Sequence, residues 1–434
     1  MGMLDIIATK RDGGELTATE IEFLIRGYVA NEIPDYQVAA FLMAVYIRGL
    51  SEAETVALTM AMAKSGDMLD LAEIPGVKVD KHSTGGVGDK TTLVVAPLVA
   101  AAGVPVAKIS GRGLGHSGGT VDKLESIPGF QAELSATDFI ANVRKIDLAI
   151  SGQTGNLAPA DKLIYAVRDA TATVASIPLI ASSIMSKKIA AGADAVILDV
   201  KCGRGAFMPD LPAARVLAQT MINIGRSVGK KTVTVISNMD QPLGAAVGNA
   251  LEVKEAILTL QNQGPADLSQ LVLALGAEML VVAGRVDSAA EGRQLLEKLL
   301  TTRVAWAKFR EFVVAQGGDP AAVDNPKLLP QAQFVLPVRS CSDGFIVGLA
   351  ADKVGRAAAA LGAGRQKKGD IVDPAVGIVL KSKLGDKIQT GRLLAEVHAN
   401  DLLKAEGAVE ELISAYEVGP GPAPPKPLIF QVLP

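Results

Sequence analysis

Apolar positions recur at helical spacing near the start of the chain. Thr17-Ala18-Thr19-Glu20 offers a hydroxyl cap with a carboxylate three residues on, and Ile21, Phe23, Leu24 and Ile25 follow. Ser51-Glu52-Ala53-Glu54 repeats that signal ahead of a helix running to about Lys64, and Pro34 separates two helical segments between these starts. From 80 to 330 the texture alternates. Val104–Ile109, Ala195–Val200 and Lys231–Ile236 read as strands, and Pro212–Val228 and Val253–Gln261 as helices. Strand–helix alternation predicts a mostly parallel sheet covered by helices on both faces. After about 335 the runs shorten to Phe345–Leu349, Gly377–Leu380 and Leu393–His398, divided by Gly and Asp, which predicts a β-rich unit. The Gly419–Pro427 stretch reads as irregular.

Length and composition narrow the function classes. A chain of 434 residues suggests two or three domains. Its net charge of −3 and 4% aromatic content argue against a nucleic-acid binder. Cys202 and Cys341 allow one disulfide at most, and three histidines leave little room for a histidine-rich metal centre. The apolar run from Leu93 to Ala107 is broken by Pro97, Gly103 and Pro105, and is too short for a bilayer, so it reads as core. The N-terminus lacks the pattern of an export signal, so the expectation is a cytoplasmic protein without a membrane partner.

Two glycine-rich loops carry the candidate chemistry. The first, Lys81-His82-Ser83-Thr84-Gly85-Gly86-Val87-Gly88-Asp89-Lys90-Thr91-Thr92, follows a strand and opens a helix. Glycines let backbone N–H groups turn toward an anion, and a helix N-terminus adds partial positive charge. It is not a P-loop, because Asp89 precedes Lys90 where that motif needs Gly. The second, Lys108-Ile109-Ser110-Gly111-Arg112-Gly113-Leu114-Gly115-His116-Ser117-Gly118-Gly119-Thr120, again offers Lys, Ser and Thr among small residues. Its formal dinucleotide fingerprint, Gly113-x-Gly115-x-x-Gly118, lacks the second strand and acidic residue that would support it. Asp122 and Glu125 read as the acidic first turn of a helix. Two such loops at adjacent strand ends predict one anion-binding crevice.

Lys81–Asp89, Ser110–Glu125 and Ser237-Asn238-Met239-Asp240-Gln241-Pro242-Leu243-Gly244 resemble signatures of the pyrimidine-nucleoside and thymidine phosphorylases, and the resemblance extends along essentially the whole chain. It implies an α/β protein with α+β additions: a small all-helical domain, a large α/β domain with a mostly parallel sheet, and a C-terminal barrel-sandwich-like subdomain. The expected divisions are 1–70 plus 160–193, 71–159 plus 194–330, and 335–434. The implied activity is reversible phosphorolysis of uridine, thymidine or deoxyuridine to free base and pentose 1-phosphate. Homodimers formed through the helical domain and hinge closure over both substrates are implied with it.

By that resemblance, phosphate would be held by Lys81, Ser83, Thr92, Lys108, Ser110 and Thr120. The base would be held by Tyr165, Arg168, Ser183 and Lys187. Arg168 and Lys187 would stabilise charge on the departing pyrimidine, and His82 would donate toward its O2. Without the resemblance, Arg168 and Lys187 read only as cations near helices. His116 reads as loop-fixing, while His398 and Cys202 read as structural. Relatives resembling this chain bind a structural potassium ion near Gly88, position 90, Leu243, Ala246 and Glu255. Here position 90 is Lys90, a donor without a lone pair, so the expectation is either an altered cation site or an ammonium in the ion's place, paired with Glu255.

Other classes compete. A phosphoribosyltransferase with similar loops would need carboxylates for magnesium and pyrophosphate, and the Arg168, Ser183 and Lys187 set speaks against it. A non-catalytic binder or carrier is disfavoured by His82 and by the lack of a Met-Lys-Met tripeptide, for which Lys381-Ser382-Lys383 is a poor substitute. Ser117, in place of a common threonine, is the one visible hint of a wider pocket and broad specificity.

Overall fold

The computed structural model describes residues 2–113, 118–153, 155–365, 367, 369–424 and 426–434. Leu114, Gly115, His116 and Ser117 lie outside them, and with them the readings made on His116 and Ser117.

The chain opens with α1 (Met3–Arg11), α2 (Ala18–Val29), α3 (Asp35–Arg48) and α4 (Glu52–Ala63). Both expected capping boxes form: Thr17 accepts from Glu20 N–H and Ser51 from Glu54 N–H, each worth about 1 kcal/mol. Ile21, Leu24, Phe41, Val45 and Leu58 bury one shared apolar face. Ala160, Ile164 and Leu179 join that core from later in the chain. They arrive on α8 (Pro159–Ala170) and α9 (Ile177–Ala190), after α5 (Thr91–Ala101), α6 (Thr120–Leu124) and α7 (Ala136–Ile146). Ser182 of α9 exchanges hydrogen bonds with Thr59 and Thr55 of α4, so the two elements are locked by polar as well as apolar contact.

The central sheet holds β1 (Val79–Ser83), β2 (Val106–Ser110), β3 (Leu148–Gly152), β4 (Ala195–Cys202) and β5 (Lys231–Asn238), all parallel. Its order, with the last strand of the chain, β13 (Ile429–Leu433), included, is β13-β5-β4-β1-β2-β3. Strands β4 and β5 lie on one side of β1, and β2 and β3 on the other. That reversal opens a crevice beyond the carboxyl ends of the strands, where open α/β sheets bind ligands. Separate apolar cores cover the two faces, as the alternating pattern predicts. The long apolar run resolves into buried α5 and β2. Among the described residues no helix is long and apolar enough to cross a membrane.

Two antiparallel sheets make the C-terminal unit. One orders β10 (Lys387–Ile388), β8 (Gly344–Leu349) and β12 (Tyr416–Gly419); the other orders β6 (Ala246–Val247), β9 (Gly377–Leu380), β11 (Leu393–Ala399) and β7 (Phe334–Arg339). The exchange with the central body runs both ways. Strand β6 comes from the α/β region, and β13 returns to pair antiparallel with β5. A division at 335 assigns β13 to the C-terminal unit, but its hydrogen bonds are in the central sheet. Ile429 and Phe430 then pack on opposite faces of that sheet. Cys202 is buried, Cys341 is exposed, and both are free thiols.

Candidate active site

Strand β1 delivers His82 and Ser83 to the crevice, and β2 delivers Ser110. They line a cavity of about 220 Å³ together with Thr92, Lys108, Arg112, Thr120, Lys187, Lys188 and the backbone of both glycine loops. Every expected phosphate residue except Lys81 is on this wall. Lys81 is 1% exposed and lies beneath it, donating to Thr91 Oγ1 at 2.5 Å, with Asp199 at 3.5 Å and Asp89 at 3.9 Å. Burial lowers its pKa, against the pull of those two carboxylates.

Two buried charge networks support the wall. Asp80 is fully buried between Lys188, at 2.7 Å, and Lys108, at 3.6 Å. Lys188 also donates to Ile109 O and Lys108 to Lys81 O, which pins both ammonium groups to strand backbone. In the second network Asp199 pairs with Lys201 at 2.6 Å and accepts from Ser237. Asp89 faces the cavity itself. Burial works to raise its pKa, but Lys201, Lys81 and Lys123 hold it well below the usual carboxylate range. Burial and the neighbouring Lys188 push Lys108 down to about 7, with Asp80 opposing. Burial, reinforced by Lys188, Lys108, Lys187 and Lys81, holds the His82 imidazole well below its ordinary value. His82 is therefore neutral at pH 7 and carries one N–H donor.

A second cavity of about 280 Å³ adjoins the first and shares His82, Ser83, Gly85, Arg112, Gly118 and Gly119 with it. Its other wall is Tyr165, Arg168, Val174, Ile180, Ser183, Ile184 and Phe207. Arg168 is held by Leu179 O at 3.1 Å and Val174 O at 2.7 Å, and lies 5.8 Å from the centre of the Tyr165 ring. Lys187 borders the first cavity, one helical turn from Ser183, to whose Oγ it donates at 3.1 Å. Asp161 fixes its ammonium from the other side at 2.5 Å. Sequence reading missed Lys188, Asp80, Asp161, Ile180 and Phe207. The aromatic residue after the Gly203-x-Gly205 turn was the visible signal for the last of these.

Local backbone explains the loops. Gly119 admits no side chain, because a Cβ there would lie 2.1 Å from Gly113 N. Gly88 adopts φ of +70°, and a Cβ there would meet Leu243 O at 2.7 Å. Ala246 O lies 3.1 Å from the same point, and both oxygens also face Lys90. Its ammonium, with a fully buried side chain, donates to Leu243 O at 3.0 Å, Ala246 O at 2.7 Å and Glu255 Oε2 at 2.5 Å. The residues do not fit an added monovalent cation: the Lys90 ammonium already supplies the positive charge and takes up the oxygens of Leu243, Ala246 and Glu255. His398 lies on β11 in the C-terminal sheet, and Cys202 is buried at the end of β4, so neither reaches these cavities.

The chain matches three family descriptions: the glycosyl transferase family helical bundle domain over 4–66, its a/b domain over 76–305, and the pyrimidine nucleoside phosphorylase C-terminal domain over 345–419. It is 56% identical over 400 residues to the pyrimidine-nucleoside phosphorylase of Geobacillus stearothermophilus, covering 92% of each chain. The same identity and coverage hold for the enzyme of that name from Staphylococcus haemolyticus. The fold is similar to that of anthranilate phosphoribosyltransferase from Thermus thermophilus, with a TM-score of 0.60 at 21% identity over 72% of this chain and 99% of that one.

Proposed function

Because this chain belongs to the pyrimidine-nucleoside phosphorylase family, we propose that its paired cavities bind inorganic phosphate and a pyrimidine nucleoside side by side. The chain is a glycosyltransferase-family enzyme that phosphorolyses pyrimidine nucleosides. The observation that carries the assignment of residues is the shared wall: one cavity rich in cations and hydroxyls opens onto one lined by apolar side chains and Arg168. Ser83, Thr92, Lys108, Ser110 and Thr120 hold phosphate, with Lys81 keeping the loop charge balanced from below. Tyr165, Arg168, Ser183 and Lys187 hold the pyrimidine.

Phosphate oxygen forms a bond to the anomeric carbon as the bond to the ring nitrogen breaks, and the electron pair leaves with the pyrimidine. Arg168 and Lys187 stabilise that charge as it develops. Neutral His82, present on both walls, donates its N–H toward the ring O2. No covalent intermediate is needed, so orientation supplies much of the rate. The exposed apolar side chains Tyr36, Tyr46 and Ile47 on α3 support a homodimer formed through the helical domain. Closure of the two walls on both substrates, in a cytoplasmic enzyme, completes the reading.

Ultraviolet-monitored cleavage of uridine, thymidine, deoxyuridine and cytidine, each with and without phosphate, tests it. Phosphate-dependent release of uracil and thymine is the expected result. Release from deoxynucleosides alone narrows the enzyme to a thymidine phosphorylase, and no release from any substrate overturns the reading.

The Lys108 environment sets a pH dependence. Free enzyme loses the Lys108 proton as pH rises through about 7, whereas bound phosphate favours the charged ammonium. Binding above that pH therefore takes up a proton, and phosphate affinity falls by up to about tenfold per pH unit. Calorimetric titration of phosphate between pH 6 and 9 measures this limb. Lys108→Arg, cationic throughout the range, flattens it.

Lys90 also predicts indifference to monovalent cations. Melting temperatures in potassium, sodium and choline chloride should coincide for the wild-type chain. Lys90→Thr frees the oxygen cage, so potassium should raise its melting temperature over choline by several degrees at saturating salt. A rise of that size in the wild type would show that a separate ion binds.

A further inference from the structure

The C-terminal subdomain sends one side chain to the second glycine loop, whose Arg112 lines both cavities and whose Gly113 lines the second. Arg365 follows the short π-helical segment Ala359–Ala363, whose last carbonyl accepts from the buried Asn249 side chain at 2.9 Å. The root of Arg365 is therefore anchored to the α/β body. Its Nη1 reaches Asp122 Oδ1 at 2.8 Å and donates to Gly113 O at 3.4 Å. The other oxygen of Asp122 accepts from Gly113 N–H at 2.6 Å. Both polar groups of one peptide residue in the second glycine loop are thus held by a single ion pair.

The next residue back is Arg112, which lines both cavities. Its guanidinium lies 3.5 Å from Asp122 Oδ1 and is bound by both oxygens of Glu125 and by Glu133. Gly119, on the opposite arm of the loop, packs against Gly113 N and leads into Thr120. Any shift of Gly113 therefore moves the wall that carries Arg112 and Thr120. Charge points the same way. Asp122 is 7% exposed beside a cavity built for an anion. Its charge would oppose an incoming dianion, and Arg365, at 2.8 Å, is the nearer of the two guanidinium groups that offset it, Arg112 lying at 3.5 Å.

We propose that Arg365 is a positioning residue for phosphate: through Asp122 it fixes the Gly113 arm of the second glycine loop and cancels a carboxylate at the rim. This makes the C-terminal subdomain a working part of the phosphate site. The inference rests on the reading of the first cavity as the phosphate site.

Arg365→Ala should raise the KM for phosphate about tenfold while the KM for nucleoside stays within about twofold. The Arg365 side chain is only 17% exposed and pairs with a buried carboxylate, so a modest fall in melting temperature accompanies this, and the split between the two KM values carries the test. Arg365→Lys keeps the charge and loses the fork, so it should recover part of the phosphate affinity. Asp122→Asn retains an acceptor for Gly113 N–H without the charge. In that background Arg365→Ala should cost clearly less than it does alone. An unchanged phosphate KM in Arg365→Ala overturns the proposal. So does a parallel rise in both KM values accompanied by a fall in melting temperature. If the wild type itself shows no saturable dependence on phosphate, the reading of the cavity falls, and this inference with it.

Discussion

Lys187→Met should lower kcat/KM for pyrimidine nucleosides by about 10² to 10³, most of it in kcat. The reason is where the ammonium stands. Asp161, at 2.5 Å, and Ser183, at 3.1 Å, hold it at the join between the anion cavity and the half-apolar cavity. Before bond breaking the pyrimidine is neutral and gains little from a cation. As the bond breaks, charge moves onto the ring beside that ammonium, and the same cation becomes strongly stabilising. A group that acts only on developing charge changes kcat more than KM. Truncation also leaves Asp161, 4% exposed, without its partner. The double variant Lys187→Met with Asp161→Asn separates the two effects. Melting temperature should recover in the double variant, while activity should stay lost. Steady-state kinetics with uridine at saturating phosphate reads the result. A raised KM with unchanged kcat would reduce Lys187 to a ground-state contact.

Asp80→Ala should destabilise the protein by about 3 to 5 kcal/mol, because it leaves buried ammonium groups uncompensated. Asp80 is fully buried beneath the wall of the first cavity, with Lys188 at 2.7 Å and Lys108 at 3.6 Å, and both lysines are almost fully buried. The carboxylate between them offsets the charge of Lys188 and favours the charged form of Lys108. Total stabilities of domains are about 5 to 15 kcal/mol, so such a loss is large. Scanning calorimetry should show a fall of about 5 °C or more in melting temperature. Asp80→Asn keeps the shape and one acceptor, and should fall between the variant and the wild type. A melting temperature within a degree of wild type in Asp80→Ala would mean that the lysines shed their protons or that water enters.

How much of this was legible in the chain differs from element to element. The helix starts at Thr17 and Ser51 were legible because a capping box is decided within four residues. Strands β2, β4, β5, β8, β9 and β11 were legible because short runs of apolar and β-branched residues between turns encode them locally. Strand β13 was not, since its five residues follow a Pro-rich stretch and gain their partners only from β5. The glycine loops stood out by composition as a candidate anion site. The base set did not: Arg168 and Lys187 are ordinary helix cations until a cavity surrounds them, and only family resemblance singled them out.

The sequence by itself determined the local grammar of this protein: which segments are helical, which are extended, where the backbone must turn, and where donors for an anion cluster. Those properties depend on neighbours a few residues apart, so the chain carries them in any context. Only the tertiary structure decided which charges meet. It placed Lys81 beneath the wall of the first cavity, beside Asp199, and Lys188 beside Asp80. It brought the Lys90 ammonium to the carbonyls of Leu243 and Ala246, more than 150 positions away. It also carried Arg365 to Gly113, 252 positions distant. Buried ion pairs depend on distance and desolvation at once, and both exist only after the β-strands have aligned and water has been excluded.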